Sequence, residues 1–332
     1  MNTTTVITTL RNHSAYAKTS NTFYKDVLQG LTASPKYLDS KYFYDAHGDL
    51  LFQQIMHCPE YYLTNCEMEI LTQQASTIVN TLKKHTNGFD VVELGAGDAT
   101  KSFHLLQQLI AAAIDFTYFP IDISGNVIAT LKKQLPVKLP HLQLHGLHGE
   151  YFDMLQEAAE ISEKNKVVLF MGANIGNFTI ETARQFCKQL RNYLRPGDLL
   201  LTGFDLKKNP QQILNAYNDK QGITKAFNLN LLQRINRELG ADFNTYNFDH
   251  YPTYDPGTGA CKSYLVSLVK QRVNIGEDTF IDFRENETIY MEISQKYSLE
   301  ETDRLAAITG FTPIAQFFDK KRWFVDCLWK CS

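Results

Sequence analysis

The residues Glu93-Leu94-Gly95-Ala96-Gly97-Asp98 follow a short apolar run and precede a helical pattern. Glycines at such a turn let the backbone approach a ligand closely, and in α/β sheets ligands bind beyond the carboxyl ends of the strands. The turn lacks the third glycine of a pyrophosphate-binding fingerprint, because Thr100 stands in that place. Asp122 ends the next apolar run, where a carboxylate can accept hydrogen bonds from both hydroxyls of a ribose. Glu150 and Tyr151 follow a third run and could hold an adenine amino group and ring edge.

These residues need a scaffold, and the chain alternates apolar runs with helical patterns. Strands are expected at Phe89–Leu94, Phe116–Ile121, Leu142–Leu147, Lys166–Gly172 and Asp198–Phe204. Helices are expected at Thr100–Ala113, Asn126–Leu135 and Ile180–Leu194, the last stopped by Pro196-Gly197. Strands this apolar, separated by helices, imply a parallel sheet covered on both faces. The alternation then breaks. Helices are expected at Pro210–Asp219 and Ile223–Leu239, and a hairpin of Phe248–Tyr254 with Ser263–Val273 around Asp255-Pro256-Gly257-Thr258-Gly259. Phe280–Phe283 adds a short strand or turn. Ser298–Thr309 opens with a capping-box pattern, Ser298 and Glu301. Phe311–Phe318 and Trp323–Trp329 are joined by too few residues for a crossover helix, so they must pair antiparallel.

Composition narrows the function classes. The 332 residues allow about two domains. Lys plus Arg is 33 against 36 Asp plus Glu, a balance that gives no support to a nucleic-acid partner. No apolar run approaches the ~20 residues of a membrane span, and no charged-then-apolar leader opens the chain. The six cysteines show no Cys-x-x-Cys spacing. Free thiols in a reducing compartment, and no metal site, are therefore expected, with a cytoplasmic location. Residues 1–19 are expected to form a flexible arm.

Five βα units, an excursion, a helix and a closing antiparallel pair resemble the class I S-adenosylmethionine (SAM) methyltransferase fold. That is an α/β, Rossmann-like, seven-stranded sheet with an antiparallel last strand, here with a second, substrate-binding domain. A more specific resemblance lies in KYFYDAHGDLLF and PEYYLTNCE between Lys36 and Glu67, then ELGAGDATK, ANIGNF, DLKKNP, AYND, FNLNLL, INRELGADF and MEISQKY. In order and spacing these phrases are similar to the histidine-specific SAM-dependent methyltransferases, which include the histidine Nα-methyltransferases of ergothioneine biosynthesis. The resemblance covers the chain from about residue 20.

The resemblance implies a SAM-binding methyltransferase domain at 66–204 and 296–332 and a substrate-binding domain at 20–65 and 205–295. It places Tyr61, Gly95, Lys101, Asp122, Glu150 and Tyr151 at SAM-contacting positions. It places Asn177 and Tyr217 at the substrate's α-carboxylate and α-amine, Tyr44 in the substrate pocket as the first candidate for proton handling, and Glu292 and Ser294 at the imidazole ring. The chemistry of the last pair is apt: a carboxylate accepts an imidazole N–H, and a hydroxyl can donate or accept at the other nitrogen. The chain departs from the pattern at His47, Asn65, Asp98 and Glu150, and at Ser263, which stands near a position where relatives place a larger apolar residue against the ring. The implied activity is SAM-dependent N-methylation of L-histidine, carried to the trimethylbetaine hercynine. The implied partner is a small amino acid, with neither nucleic acid nor membrane, for a monomer or weak homodimer. Alternatives are the same fold acting on another amino acid or amine, a silent SAM-binding module, and, third, a nicotinamide-dependent dehydrogenase.

Overall fold

A computed structural model describes residues 22–86, 88–276 and 278–332. The expected arm at 1–19 lies outside the described residues. The chain divides into two compact units, 22–61 with Asn209–Ile293, and Tyr62–Lys208 with Ser294–Ser332. The boundaries differ by a few residues from 65/66, 204/205 and 295/296. Tyr62 belongs with the second unit because its hydroxyl donates to Asp205 at 2.8 Å and its ring packs edge-on to Trp323.

The second unit is built on β1 (Phe89–Leu94), β2 (Thr117–Asp122), β3 (the pieces Gln143–Leu144 and Leu147–His148), β4 (Asn165–Phe170), β5 (Leu199–Asp205), β6 (Phe311–Phe318) and β7 (Phe324–Cys331). The sheet order is β3-β2-β1-β4-β5-β7-β6. The first five strands run parallel, and β7 is antiparallel to both β5 and β6. The continuous third strand expected at Leu142–Leu147 is broken at His145-Gly146. There Ile128 and Lys132 pack so closely on Gly146 that a side chain would not fit. Val92, Phe119, Val168, Leu200 and Trp329 anchor the core, and the capping box at Ser298 and Glu301 is formed.

The first unit carries a four-stranded sheet ordered Lys36–Tyr37, Thr288–Gln295, Ala260–Ser267, Phe248–Asp255. The single strand expected over Ser263–Val273 is two. Its second half, Gln271–Ile275, pairs instead with Thr279–Phe283. The Ser267 hydroxyl makes the break, donating to Val269 O at 2.8 Å and accepting from the Gln271 amide at 2.6 Å. The helix expected to reach Asp219 ends at Ala216. The Asp219 carboxylate accepts the N–H groups of Ile223 and Thr224 instead, fixing the start of the helix Ile223–Leu239. Leu231, Leu265, Ile275 and Ile289 are among its fully buried core residues.

Candidate active site

Parallel strands carry their carboxyl ends to one edge of the sheet, and four loops meet there in the second unit. Gly95 and Gly97 take positive φ, 73° and 53°, after β1. A Cβ on Gly95 would sit 2.8 Å from the Tyr151 hydroxyl, so glycine is required by contact as well as by conformation. The space beside Gly97 is open. Asp122 ends β2 and holds this loop: Oδ2 accepts from Gly97 N at 3.2 Å and Oδ1 from Ser124 N at 2.8 Å. A carboxylate has about four acceptor directions, so capacity for ribose hydroxyls remains. Glu150 is exposed and begins the helix Tyr151–Ile161. Burial, then the charges of Asp122 and Glu150, push the Tyr151 phenol up to about 12, which keeps it a neutral donor. Asp98, one of the departures, accepts from Thr100 N at 2.9 Å and closes the turn.

Lys101 follows that turn, and its ammonium donates to Glu67 Oε2 at 2.5 Å. Glu67 is fully buried and also accepts from Gly172 N at 2.7 Å. Asp326 of β7 is buried as well, with no hydrogen bond reaching either carboxyl oxygen. Burial, then the charge of Glu67, hold its carboxyl well above the usual carboxylate range. Beside them, burial pushes Glu93 up to about 7 against hydrogen bonds from Tyr118 and Ser102. Asn177 closes the short helix Asn174–Asn177 after β4. That turn lies against Ser294 and Gln295, with Gly176 placed where a Cβ would be 3.0 Å from Gln295 O.

In the first unit, Tyr44 is half exposed and meets Phe52 and Phe227 edge-on at 5.6 and 5.8 Å. Asp45 next to it caps the helix Ala46–His57 through Gly48 N at 2.7 Å and accepts from Asn230 at 2.9 Å. Tyr61 and Tyr217 stand edge to face at 6.1 Å. Ser263 and Glu292 lie on neighbouring strands, and the Ser263 hydroxyl donates to Glu292 Oε1 at 3.4 Å. Alternation along Thr288–Gln295 puts Glu292 and Ser294 on its half-buried face. His47 and Asn65 are exposed. Among the described residues no group of three His, Cys, Asp or Glu could hold a metal.

A profile of the family described as histidine-specific, SAM-dependent methyltransferase matches residues 23–331. The chain belongs to that family. The histidine N-alpha-methyltransferase of Mycolicibacterium smegmatis is 33% identical over 88% of this chain and 89% of its own length. The ergothioneine biosynthesis protein 1 of Neurospora crassa is 32% identical over 85% of this chain and 32% of its own. A 4-dimethylallyltryptophan N-methyltransferase of Claviceps purpurea is 26% identical over 86% of this chain and 88% of its own.

A second ionic cluster in this SAM-dependent methyltransferase carries no role in the sequence reading. The carboxylate of Asp205, at the end of β5, is fully buried. It accepts from Lys296 Nζ at 2.7 Å, from Lys208 Nζ and from the Tyr62 hydroxyl. Burial pushes its carboxyl up, but the two lysines outweigh burial and hold it below its ordinary value. Lys296 also donates to Ser294 Oγ at 2.8 Å. The signal available in the sequence was a charge inside or at the end of an apolar run: Asp205 after LLLTGF, and Asp326 within FVDCLW.

Proposed function

We propose that this protein transfers methyl groups from SAM to the α-amine of L-histidine, ending at the trimethylated betaine hercynine. The observation that carries the reading is the strand Thr288–Gln295, which presents Glu292 and Ser294 on one face in a chain that belongs to the histidine-specific family. A carboxylate and a hydroxyl two residues apart suit the two nitrogens of one imidazole. A site that hydrogen-bonds a polar ring discriminates strongly against rings lacking those groups.

In this reading 66–204 and 296–332 bind SAM, through Gly95, Lys101, Asp122, Glu150 and Tyr151 with Tyr61. The remaining segments, 20–65 and 205–295, bind the amino acid. The sulfonium supplies an activated methyl. The amine lone pair forms the new N–C bond as the S–C bond breaks, and its electrons stay on sulfur, giving S-adenosylhomocysteine. The amine must first be neutral, although an α-amine with a pKa of about 8 is mostly protonated at neutral pH. Tyr44 takes or relays that proton, and Asn177 and Tyr217 hold the α-carboxylate and amine. Aligning amine and methyl supplies the larger share of the rate, of order 7–11 kcal/mol. Aromatic faces such as Tyr44 and Phe52 favour the quaternary product. No helix among the described residues is long and apolar enough to cross a membrane, and all six cysteines are free and buried. A cytoplasmic, monomeric or weakly dimeric enzyme that needs no metal and binds neither nucleic acid nor membrane fits this reading.

One observation favours a second reading. Ser263 puts a small hydroxyl beside Glu292, and a relative is named for a bulkier substrate, 4-dimethylallyltryptophan. Turnover of histidine, tryptophan and phenylalanine with SAM separates the two. Glu292→Ala is expected to lower kcat/KM for histidine at least about tenfold, the equivalent of ~1.4 kcal/mol. It should affect phenylalanine much less. A parent protein that does not prefer histidine, or an equal loss on all three, would hand the function to the second reading.

A further inference from the structure

Glu67, on the helix Tyr62–Gln73, is a fully buried carboxylate with no task in the proposed reaction. Its two oxygens serve two different loops at the carboxyl edge of the sheet. Oε2 accepts from Lys101 Nζ at 2.5 Å, on the turn after β1. Oε1 accepts from Gly172 N at 2.7 Å, in the turn after β4. The Lys101 side chain is 23% exposed, so its ammonium is gripped from the buried side and keeps access to solvent. Gly172 and the next residue, Ala173, both take positive φ, 77° and 54°. Alanine is strained in that region, and such a turn persists only where its surroundings fix it. The turn leads directly into the short helix Asn174–Asn177. The interior is shaped for this carboxylate: a Cβ on Gly203 of β5 would overlap Glu67 Oε1.

We propose that Glu67 is a positioning residue for both ligands: one carboxylate aims the Lys101 ammonium at the cofactor and pins the turn that carries Asn177. This rests on the reading of Lys101 as a SAM contact and of Asn177 as a substrate contact. A carboxylate suits the task because both of its oxygens accept. Glutamine has nearly the same shape but only one accepting oxygen. Its amide nitrogen must face either the Gly172 N–H at 2.7 Å or the Lys101 ammonium at 2.5 Å, donor against donor. Cofactor and substrate thus share one support that lies wholly in the interior.

The test is calorimetric affinity for SAM, and for histidine with S-adenosylhomocysteine present, in the parent, Glu67→Gln, Lys101→Met, the double variant and Asn177→Ala. Glu67→Gln is expected to weaken SAM at least about tenfold, as for a hydrogen bond to a charged group, and histidine about fivefold, as for an ordinary one. Lys101→Met should weaken SAM and largely spare histidine. In the double variant the SAM losses should fall well short of adding, because both changes disable the same contact. A merely structural glutamate would lower the unfolding midpoint and leave the affinities of the folded protein unchanged, or would add its loss in full to that of Lys101→Met; either result overturns the proposal. So does a Glu67→Gln that loses SAM but binds histidine as the parent does, since the turn is then held without the carboxylate. Should Glu67→Gln fail to fold, Glu67→Asp decides by the same criteria, because it keeps the charge and withdraws both oxygens by one methylene. The underlying reading has its own controls. Lys101→Met with the parent's SAM affinity, or Asn177→Ala with the parent's histidine affinity, refutes that reading and the proposal with it.

Discussion

The sheet unit buries two ionic clusters of opposite imbalance. Around Lys101 there are three carboxyl groups, Glu67, Asp326 and Glu93, for one lysine. Around Asp205 there are two lysines for one carboxylate. Each imbalance is relieved with the chemistry its surplus allows. Surplus acids can keep a proton, and both Asp326 and Glu93 are pushed upward by burial. Surplus lysines instead spend their extra N–H groups on hydroxyl oxygens, Lys296 on Ser294 and Lys208 on Tyr62 at 2.9 Å. Breaking a buried pair costs more than replacing it, because the abandoned charge stays in low dielectric. The two clusters should therefore respond differently to the same isosteric change.

The largest expected effect follows removal of the single carboxylate of the lysine-rich cluster. Asp205→Asn removes the carboxylate that both Lys296 and Lys208 contact in the buried interior, and a loss of about 3–5 kcal/mol is expected in urea denaturation at neutral pH. The sign with pH is set by the lowered carboxyl of Asp205. Its contribution is present above the ordinary carboxylate value and disappears as pH falls through the lowered one. The gap between parent and Asp205→Asn should thus close only in strong acid.

The next effect separates ligand binding from stability. Lys101 is the cation of the acid-rich cluster and, in the proposed function, a SAM contact. Lys101→Met should weaken SAM binding by about 1.5–3 kcal/mol in calorimetric titration, the range for hydrogen bonds to charged groups. Histidine binding measured with S-adenosylhomocysteine present should change less. Equal losses on both ligands would make Lys101 a structural member of its cluster only.

Much of this molecule was legible in its sequence, for identifiable reasons. The parallel strands were visible because burial on both faces demands unbroken apolar runs, as in Val167–Phe170. The closing antiparallel pair was visible because Asp319–Arg322 is too short to cross over. Local signals decided these elements. The Ser263–Val273 run was misjudged because a hydroxyl clasp at Ser267, made by Gln271 and Val269, leaves no trace in hydropathy. The buried clusters were illegible in a different way. Asp205 and Asp326 stand out as charges beside apolar residues, but their partners Lys296 and Glu67 are remote in sequence: the backbone bridge of Leu206 with Tyr297 carries Lys296 to Asp205, and the helix Tyr62–Gln73 carries Glu67. Tyr61 with Tyr217, and Ser263 with Glu292, are likewise pairings that strand order and helix packing decide.

The smallest expected effect is the one that sharpens the contrast between the clusters. Asp326 faces Gly203 across the β5–β7 register, and a side chain on Gly203 would collide with the Glu67 carboxylate, so the three positions are packed without slack. Burial first, and the Glu67 charge second, raise the Asp326 carboxyl, while Lys101 pulls it down less strongly. A group raised by folding stabilises the native state below its unfolded pKa and loses that contribution as pH climbs through the folded one. The parent should therefore lose stability as pH rises above the ordinary carboxylate range, by at most about 1.4 kcal/mol per pH unit. Asparagine has the shape of a protonated aspartate, does not titrate, and can donate its amide N–H to Glu67. Asp326→Asn is expected to match the parent in acid and to exceed it by about 1 kcal/mol at neutral pH, in the manner of buried charges replaced by neutral groups. Urea titrations of both proteins across that pH range provide the measurement. If Asp326→Asn falls at neutral pH as far as Asp205→Asn does, Asp326 is an ionised partner of Lys101, and the two clusters are held together in the same way after all.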